Sequence, residues 1–391
     1  MITEPLTSPD HVEIRDIVRD FVDKNFTSER VRAAAASADG YGEATWKLMA
    51  DLGWTAFGFD EAAGGLGLGA PVQCLVHREL GARLAPSPYL ASVAFAGTAL
   101  SLLADRDAGL PILTTIGDGT TQAALVLGHG RGWPGAGRSS VTARQEDGCW
   151  VLDGGADLVL DAARADLLLV VAPLDASSWG LFRLGTDAPG VIRRPVPTVD
   201  GTRSFGAVRL ESAQAVALHA EPLSTERVGH LVDRMAVYLA AEMTGAAVSC
   251  MRQTLDYLRT RQQFGRPIGS FQALKHRCAD LAVSLTIVQE LLFAAAGMIE
   301  AGHTGALRVE APLLLAQAGE VFKRTTEEAI QLHGGVGFTD ELDIGLYYKR
   351  ALVDNELLAA PADAYARLDA MRERSGATGK QRDATRERLG A

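Results

Sequence analysis

Arg261-Gln262-Gln263-Phe264-Gly265-Arg266-Pro267-Ile268-Gly269-Ser270-Phe271-Gln272 interrupts a pattern that is otherwise helical. Apolar residues recur at helical spacing across Glu226–Arg261 before it and across Phe271–Ala301 after it. One long helix therefore ends at a glycine and a proline, and another begins. An arginine at such a junction, beside the positive N-terminus of the next helix, suits a phosphate or pyrophosphate group. A third long helix, Leu307–Leu332, runs into Gln331-Leu332-His333-Gly334-Gly335-Val336-Gly337-Phe338, where three glycines leave bare backbone for a ligand. Taken singly, each stretch reads better as a glycine-capped helix end with a buried arginine pair.

Upstream the period changes. Short β-rich runs, Ala123–Leu127, Cys149–Leu152, Leu167–Val171, Gly180–Leu184 and Gly206–Leu210, are broken by turn signals that include Asp147-Gly148 and Asp153-Gly154. Before them, helical spacing returns in Ile14, Ile17, Val18, Phe21 and Val22, in Tyr41–Leu52 and in Ala70–Leu84, with Pro9 suited to a first helical turn. The glycine-rich run Gly64–Gly69 follows no strand and lacks the Lys-Ser/Thr ending of a phosphate loop, so it reads as a connection. The chain thus divides into an N-terminal α-helical domain (1–118), a middle β domain (119–223), a C-terminal four-helix bundle (224–374) and a polar tail (375–391). This is an α+β layout, and no strand leads into Gly-x-Gly-x-x-Gly as a dinucleotide fold would require.

Composition narrows the function. The 391 residues carry 38 Lys+Arg against 48 Asp+Glu, a net charge of −10, so no basic excess exists to neutralise nucleic-acid phosphates. The apolar runs Ala123–Leu127 and Leu167–Pro173 fall far short of the roughly 20 residues that span a bilayer, and no membrane association is expected. Met1–Phe26 has neither a basic leader nor an apolar signal core, which points to the cytoplasm. Cys74, Cys149, Cys250 and Cys278 lie far apart and read as ordinary buried thiols, with no metal site.

Together and in this order, the two glycine-interrupted stretches resemble the acyl-CoA dehydrogenase family of flavoproteins. The resemblance covers nearly the whole chain, including Gly-Gly-Leu-Gly-Leu at Gly64–Leu68, Trp150-Val151-Leu152-Asp153-Gly154, the run Arg-x-x-Phe-Gly-x-Pro-Ile-x-x-Phe-Gln continuing to His276 and Ala279-Asp280, and Gln-x-x-Gly-Gly-x-Gly. It implies a helical N-terminal domain, a β-barrel-like middle domain and a four-helix bundle. It also implies FAD at a subunit interface, with one chain reaching across to the pyrophosphate and adenosine end of its neighbour's flavin. The matching residues are Arg261, Phe264, Gln272, Gln331, Gly334 and Gly335, a guanidinium for the pyrophosphate and glycines for close backbone approach.

The other half of the family's site is missing. Where members carry Thr-Glu-Pro-x-x-Gly-Ser-Asp against the flavin ring, this sequence has Gly128-His129-Gly130-Arg131-Gly132-Trp133-Pro134-Gly135. Where the next strand offers the ring an aromatic and a hydroxyl, it has Leu158 and Leu160, which offer no hydrogen bond. The reaction removes a proton α to the thioester carbonyl while hydride leaves Cβ for the flavin, so a carboxylate must stand near the α-carbon. The family's two positions for it fall here on Ala359 and Met235. Glu242, two turns beyond Met235, reads as a buried glutamate paired with an arginine, and is the fallback base. Asp233 and Glu356 lie near the expected positions but are rotated away, while His333 and His276 read as packing or flavin-side residues.

What the resemblance then implies is a non-catalytic, FAD-completing subunit of a heteromeric dehydrogenase. Its partner would be a base-containing homologue in an α2β2 tetramer, acting on an acyl-CoA thioester such as a steroid side-chain CoA and passing electrons to an electron-transfer flavoprotein. Two alternatives stay open: an autonomous homo-oligomeric enzyme using Glu242 or Asp233, and a CoA-thioester-binding scaffold without redox chemistry.

Overall fold

The computed structural model describes residues 9–37, 41–130, 132–134 and 140–373. The tail from 375 onward, with Arg131 and Gly135, lies outside them. The chain opens with helices α1 (Pro9–Asn25), α2 (Ser28–Ala36), α3 (Glu43–Asp51), α4 (Ala70–Ala82), α5 (Gly97–Leu103) and α6 (Arg106–Gly117). Pro9 sits in the first turn, where its missing N–H costs nothing. The segment Tyr89–Ala96, which runs into α5, is π-helical and wholly buried. Helix α4 is buried on almost every side. Such elements belong at the centre of a helical layer, and both lie against the C-terminal bundle.

The middle domain is a curled sheet built from β1 (Ala123–Leu127), β2 (Val141–Glu146), β3 (Cys149–Leu160), β4 (Leu167–Pro173), β5 (Ser178–Gly185), β6 (Val191–Pro195), β7 (Phe205–Ala217) and β8 (Leu223–Ser224). Its order is β1-β4-β5-β7-β3-β2, with β6 on β7 and β8 on β5. Only the β1–β4 pair is parallel. Alternate residues explain why β1 and β4 read as continuous apolar runs: Val126, Leu168 and Val170 fill the sheet's own core, while Leu125, Leu169 and Val171 face the helices.

The C-terminal part holds α7 (Thr225–Thr260), α8 (Gln272–Glu300), α9 (Thr304–His333) and α10 (Ile344–Leu357), followed by a further helix over 361–373. Ser224 caps α7 by accepting a hydrogen bond from the Arg227 amide. Several expectations need correction. Asp147-Gly148 does form a tight turn, with φ of 49° and 81°, but Asp153-Gly154 lies inside β3. There Gly154, at φ 118°, makes a bulge where the pairing with β7 slips, and a side chain at that point would collide with the Ser140 carbonyl. Three cysteines are buried, but Cys149 begins β3 in the open.

Between α7 and α8 the chain does not pass directly from helix to helix. It forms a hairpin of β9 (Gln262–Gln263) and β10 (Arg266–Pro267), turned by Phe264 and Gly265 at φ 54° and 75°. Helix α8 also corrects the reading of apolar length: an 18-residue window in it reaches a mean hydropathy of 1.8, enough by composition to cross a membrane. Only a third of that window is buried within this chain. Its exposed side includes Val283 and Ile287, and its other side packs on α7 and α9.

Candidate functional site

One of the two positions expected to carry a base, Met235, lines a cavity, and the other, Ala359, follows a residue that does. A cavity of about 290 Å³ is lined by Ala91 and Phe95 of the π-helical segment, Leu158 and Leu160 of β3, Met235 of α7 and Leu358 after α10. Buried Ala359 follows directly. Segments more than a hundred residues apart thus converge on a chamber walled mainly by hydrocarbon. Among the described residues its one lining carboxylate, Asp157, points largely into solvent and pairs with Arg209. Among the described lining residues no buried carboxylate stands ready to accept a proton from an α-carbon.

The remaining carboxylates are committed elsewhere. Glu242 lies between two guanidiniums, Arg203 at 3.0 Å and Arg350 at 2.8 Å. Arg350 also holds Asp200 at 2.5 Å, and Arg203 holds Asp354 at 2.8 Å. All five side chains are buried, so each charge depends on the others. Burial pushes the Asp354 carboxyl up to about 6 against the pull of both arginines. This cluster ties the β6–β7 connection to α7 and α10, and within it Glu242 pairs with both arginines. The sequence reading anticipated an arginine partner in the bundle; Arg350 is one, while Arg203 comes from the sheet domain.

Asp233 is likewise occupied. The Trp133 indole N–H donates to it at 2.6 Å, and Arg367 reaches it at 3.2 Å while lying over the Trp133 ring at 4.4 Å. Burial raises Asp233 to about 6. Glu356 is exposed on α10. The Trp133 contact, across a hundred positions, had no sequence signal. It pins the loop that stands where the family's ring-contacting loop would be, and the Gly132 amide adds a 2.6 Å hydrogen bond to the Leu358 carbonyl.

The second group of expected residues forms a separate, open surface. Arg261 ends α7, and Phe264 at the hairpin tip is 90% exposed. Arg266 lies over the Phe271 ring at 4.1 Å. Gln272 opens α8 with its amide 3.0 Å from His276 Nε2, so His276 orders this end of the helix. At the end of α9, Gln331, Gly334 and Gly335 are exposed, and open space surrounds both glycines where a Cβ would stand. His333 is structural: its Nδ1 is 2.7 Å from the Ala329 carbonyl, and its ring stacks on Tyr257 at 4.4 Å. The stack joins the ends of α7 and α9, so motifs about 70 positions apart share one platform. Arg277 of α8 joins it through a 2.6 Å bond to Glu328 of α9. Among the described residues, no group of three or more metal-ligating side chains converges.

Residues 8–105 match the model of the acyl-CoA dehydrogenase N-terminal domain, and residues 227–357 that of the C-terminal domain. Acyl-CoA dehydrogenase IpdE2 of Mycobacterium tuberculosis is 34% identical over 366 residues, covering 93% of this chain and 98% of the relative. IpdE2 of Mycolicibacterium smegmatis is 31% identical over 362 residues, covering 91% and 97%. Among solved structures, a variant of the Tcur3481-Tcur3483 steroid acyl-CoA dehydrogenase superposes with a TM-score of 0.85 at 26% identity, covering 94% of this chain and 99% of that one. The ChsE4-ChsE5 complex of Mycobacterium tuberculosis gives 0.84 at 25%, covering 93% and 97%.

Proposed function

This chain belongs to the acyl-CoA dehydrogenase family, and within it we propose that it serves as the non-catalytic subunit that completes the FAD site of a heteromeric dehydrogenase. Members of the family are FAD-dependent flavoproteins, and bound FAD supplies the hydride acceptor for α,β-dehydrogenation of an acyl-CoA. The observation that carries the proposal is the contrast between the two surfaces: an apolar chamber lined by Met235, with buried Ala359 next to the lining Leu358, and an exposed platform of Arg261, Gln272, Gln331, Gly334 and Gly335.

The chamber fits a flavin ring poorly. The side chains of Leu158 and Leu160 offer no hydrogen bond to ring nitrogens or carbonyls, and the loop ahead of them is held down through Trp133. The platform fits the other end of the cofactor. Arg261 would pair with the pyrophosphate of a flavin held mainly by an unlike chain, and Gly334-Gly335 would let backbone approach it closely. A base-containing homologue would then supply the proton acceptor and the ring contacts. The exposed apolar side of α8, continuous with the platform, is the surface such a subunit would cover. The likeness to a steroid acyl-CoA dehydrogenase and to a two-protein complex supports a steroid side-chain CoA thioester as substrate and an α2β2 assembly, with an electron-transfer flavoprotein receiving the electrons.

The test exchanges residues on either side of the complex. Replacing Arg261 by Gln in this chain is expected to strip flavin from the co-expressed complex; replacing the partner's base is expected to abolish turnover and leave flavin in place. Full flavin occupancy in the Arg261→Gln complex would contradict the proposal.

A further inference from the structure

A second cavity, of about 260 Å³, opens on a different face of the π-helical segment and of α7, and it shares no lining residue with the apolar chamber. Its polar groups come from four places: Gln73 of α4, Thr98 and Ser101 of α5, Arg234 and Tyr238 of α7, and Asp60 of the loop before α4. Two of these groups carry an N–H donor that no acceptor meets. Gln73 is 6% exposed, and its Nε2 has no hydrogen-bond partner among the described residues, although its Oε1 accepts from the Tyr89 hydroxyl at 3.3 Å. Arg234 is half-buried and its guanidinium is hydrogen-bonded to Tyr238, but its Nε is buried and has no partner among the described residues. A native interior seldom leaves such groups unsatisfied, so a pair on the wall of one cavity points to an acceptor that belongs there.

The chemistry of the pair selects the acceptor. A guanidinium and a primary amide together present planar N–H donors and one positive charge, the complement of a carboxylate with its two coplanar oxygens. Gly58 keeps the approach clear, because a Cβ there would stand 2.5 Å from Gln73 Nε2. Asp60, exposed at the rim, opposes a second negative charge and so disfavours dicarboxylates and phosphates. Phe59, Val93 and Leu102 supply apolar wall for a short carbon body. We propose that this cavity binds a small monocarboxylate, with its carboxylate on Arg234 and Gln73. The inference is independent of the subunit role, since neither the platform nor the apolar chamber takes part.

Calorimetric titration of the full-length chain with butyrate, butyramide and succinate tests it. Butyrate should bind saturably at one site per chain, butyramide at least tenfold more weakly for want of the charge, and succinate more weakly than butyrate. Arg234→Lys, which keeps the charge and removes Nε, should weaken butyrate binding about tenfold, and Thr98→Val less. Absence of butyrate binding, equal affinity for butyramide, or unchanged affinity in Arg234→Lys would each overturn the proposal. The amide comparison requires no variant, so it stands even if a substitution at Arg234 fails to fold.

Discussion

Tyr257 and His333 stack with ring centroids 4.4 Å apart and planes 28° from parallel, and the tyrosine hydroxyl donates to the histidine's own carbonyl at 3.2 Å. The pair fixes the end of α7 against the end of α9. Arg261 lies four residues beyond the first ring, and Gly334 directly follows the second. Tyr257→Ala removes an aromatic pair worth about 0.5–1.5 kcal/mol and a hydrogen bond worth about 1 kcal/mol. The expected outcome is a loss of FAD affinity in the complex of about tenfold with helical content retained. Tyr257→Phe keeps the stack and should lose less. Equilibrium dialysis with FAD, beside far-UV circular dichroism, checks both.

Glu242 separates a structural account from a catalytic one. Replacing it by Gln leaves Arg203 and Arg350 facing a neutral group in a buried cluster, which should cost about 3–5 kcal/mol of stability. Turnover per folded complex should stay within about twofold of the parent. Denaturant unfolding measures the first effect and steady-state assay the second; abolished turnover with unchanged stability would identify Glu242 as the base.

Supplying a base should not revive this chain. Ala359→Glu places a carboxylate beside the chamber, yet Leu158 and Leu160 still deny polar contacts to a flavin ring. The variant purified alone is expected to show no acyl-CoA oxidation above background in a dye-reduction assay, and to be less stable by a few kcal/mol for burying a carboxylate.

The pH dependence has a defined sign at Asp233. Burial raises its folded-state value to about 6, above the roughly 3.9 of an unfolded aspartate. The folded state therefore holds the proton more tightly, and Asp233's contribution to stability is greatest below about pH 4 and is lost as pH rises through about 6. Asp233→Asn removes this dependence. The variant should gain on the parent by about 2 kcal/mol between pH 4 and pH 7, as measured by urea unfolding at each pH. His77, which burial lowers to about 4, titrates in both proteins and so cancels from the difference.

The long helices were legible because amphipathic spacing sustained over 36 residues in α7 leaves no other solution. Strands β1 and β4 were legible as apolar runs, since both their faces are buried. Strands β2 and β6 were not: they are largely exposed, and Thr142-Ala143-Arg144 carries no alternating signal. Asp153-Gly154 has the composition of a turn, and only the register of β3 against β7 makes it a bulge. At the site, Met235 lines the chamber, and Ala359 is the residue that follows the lining Leu358. The Trp133–Asp233 link and the Arg203–Glu242 pair join separate layers, and no local pattern encodes contacts of that kind. The cavity at Gln73 and Arg234 is hidden for the same reason, as α4, the loop before it, the π-helical segment, α5 and α7 all supply its walls.

The most direct test of the subunit role is the flavin content of this chain purified alone and purified with its base-containing partner, measured by absorbance against the amount of each chain. One FAD per pair of unlike chains, with none on this chain by itself, is the predicted result. Stoichiometric FAD and acyl-CoA oxidation on this chain alone would contradict it.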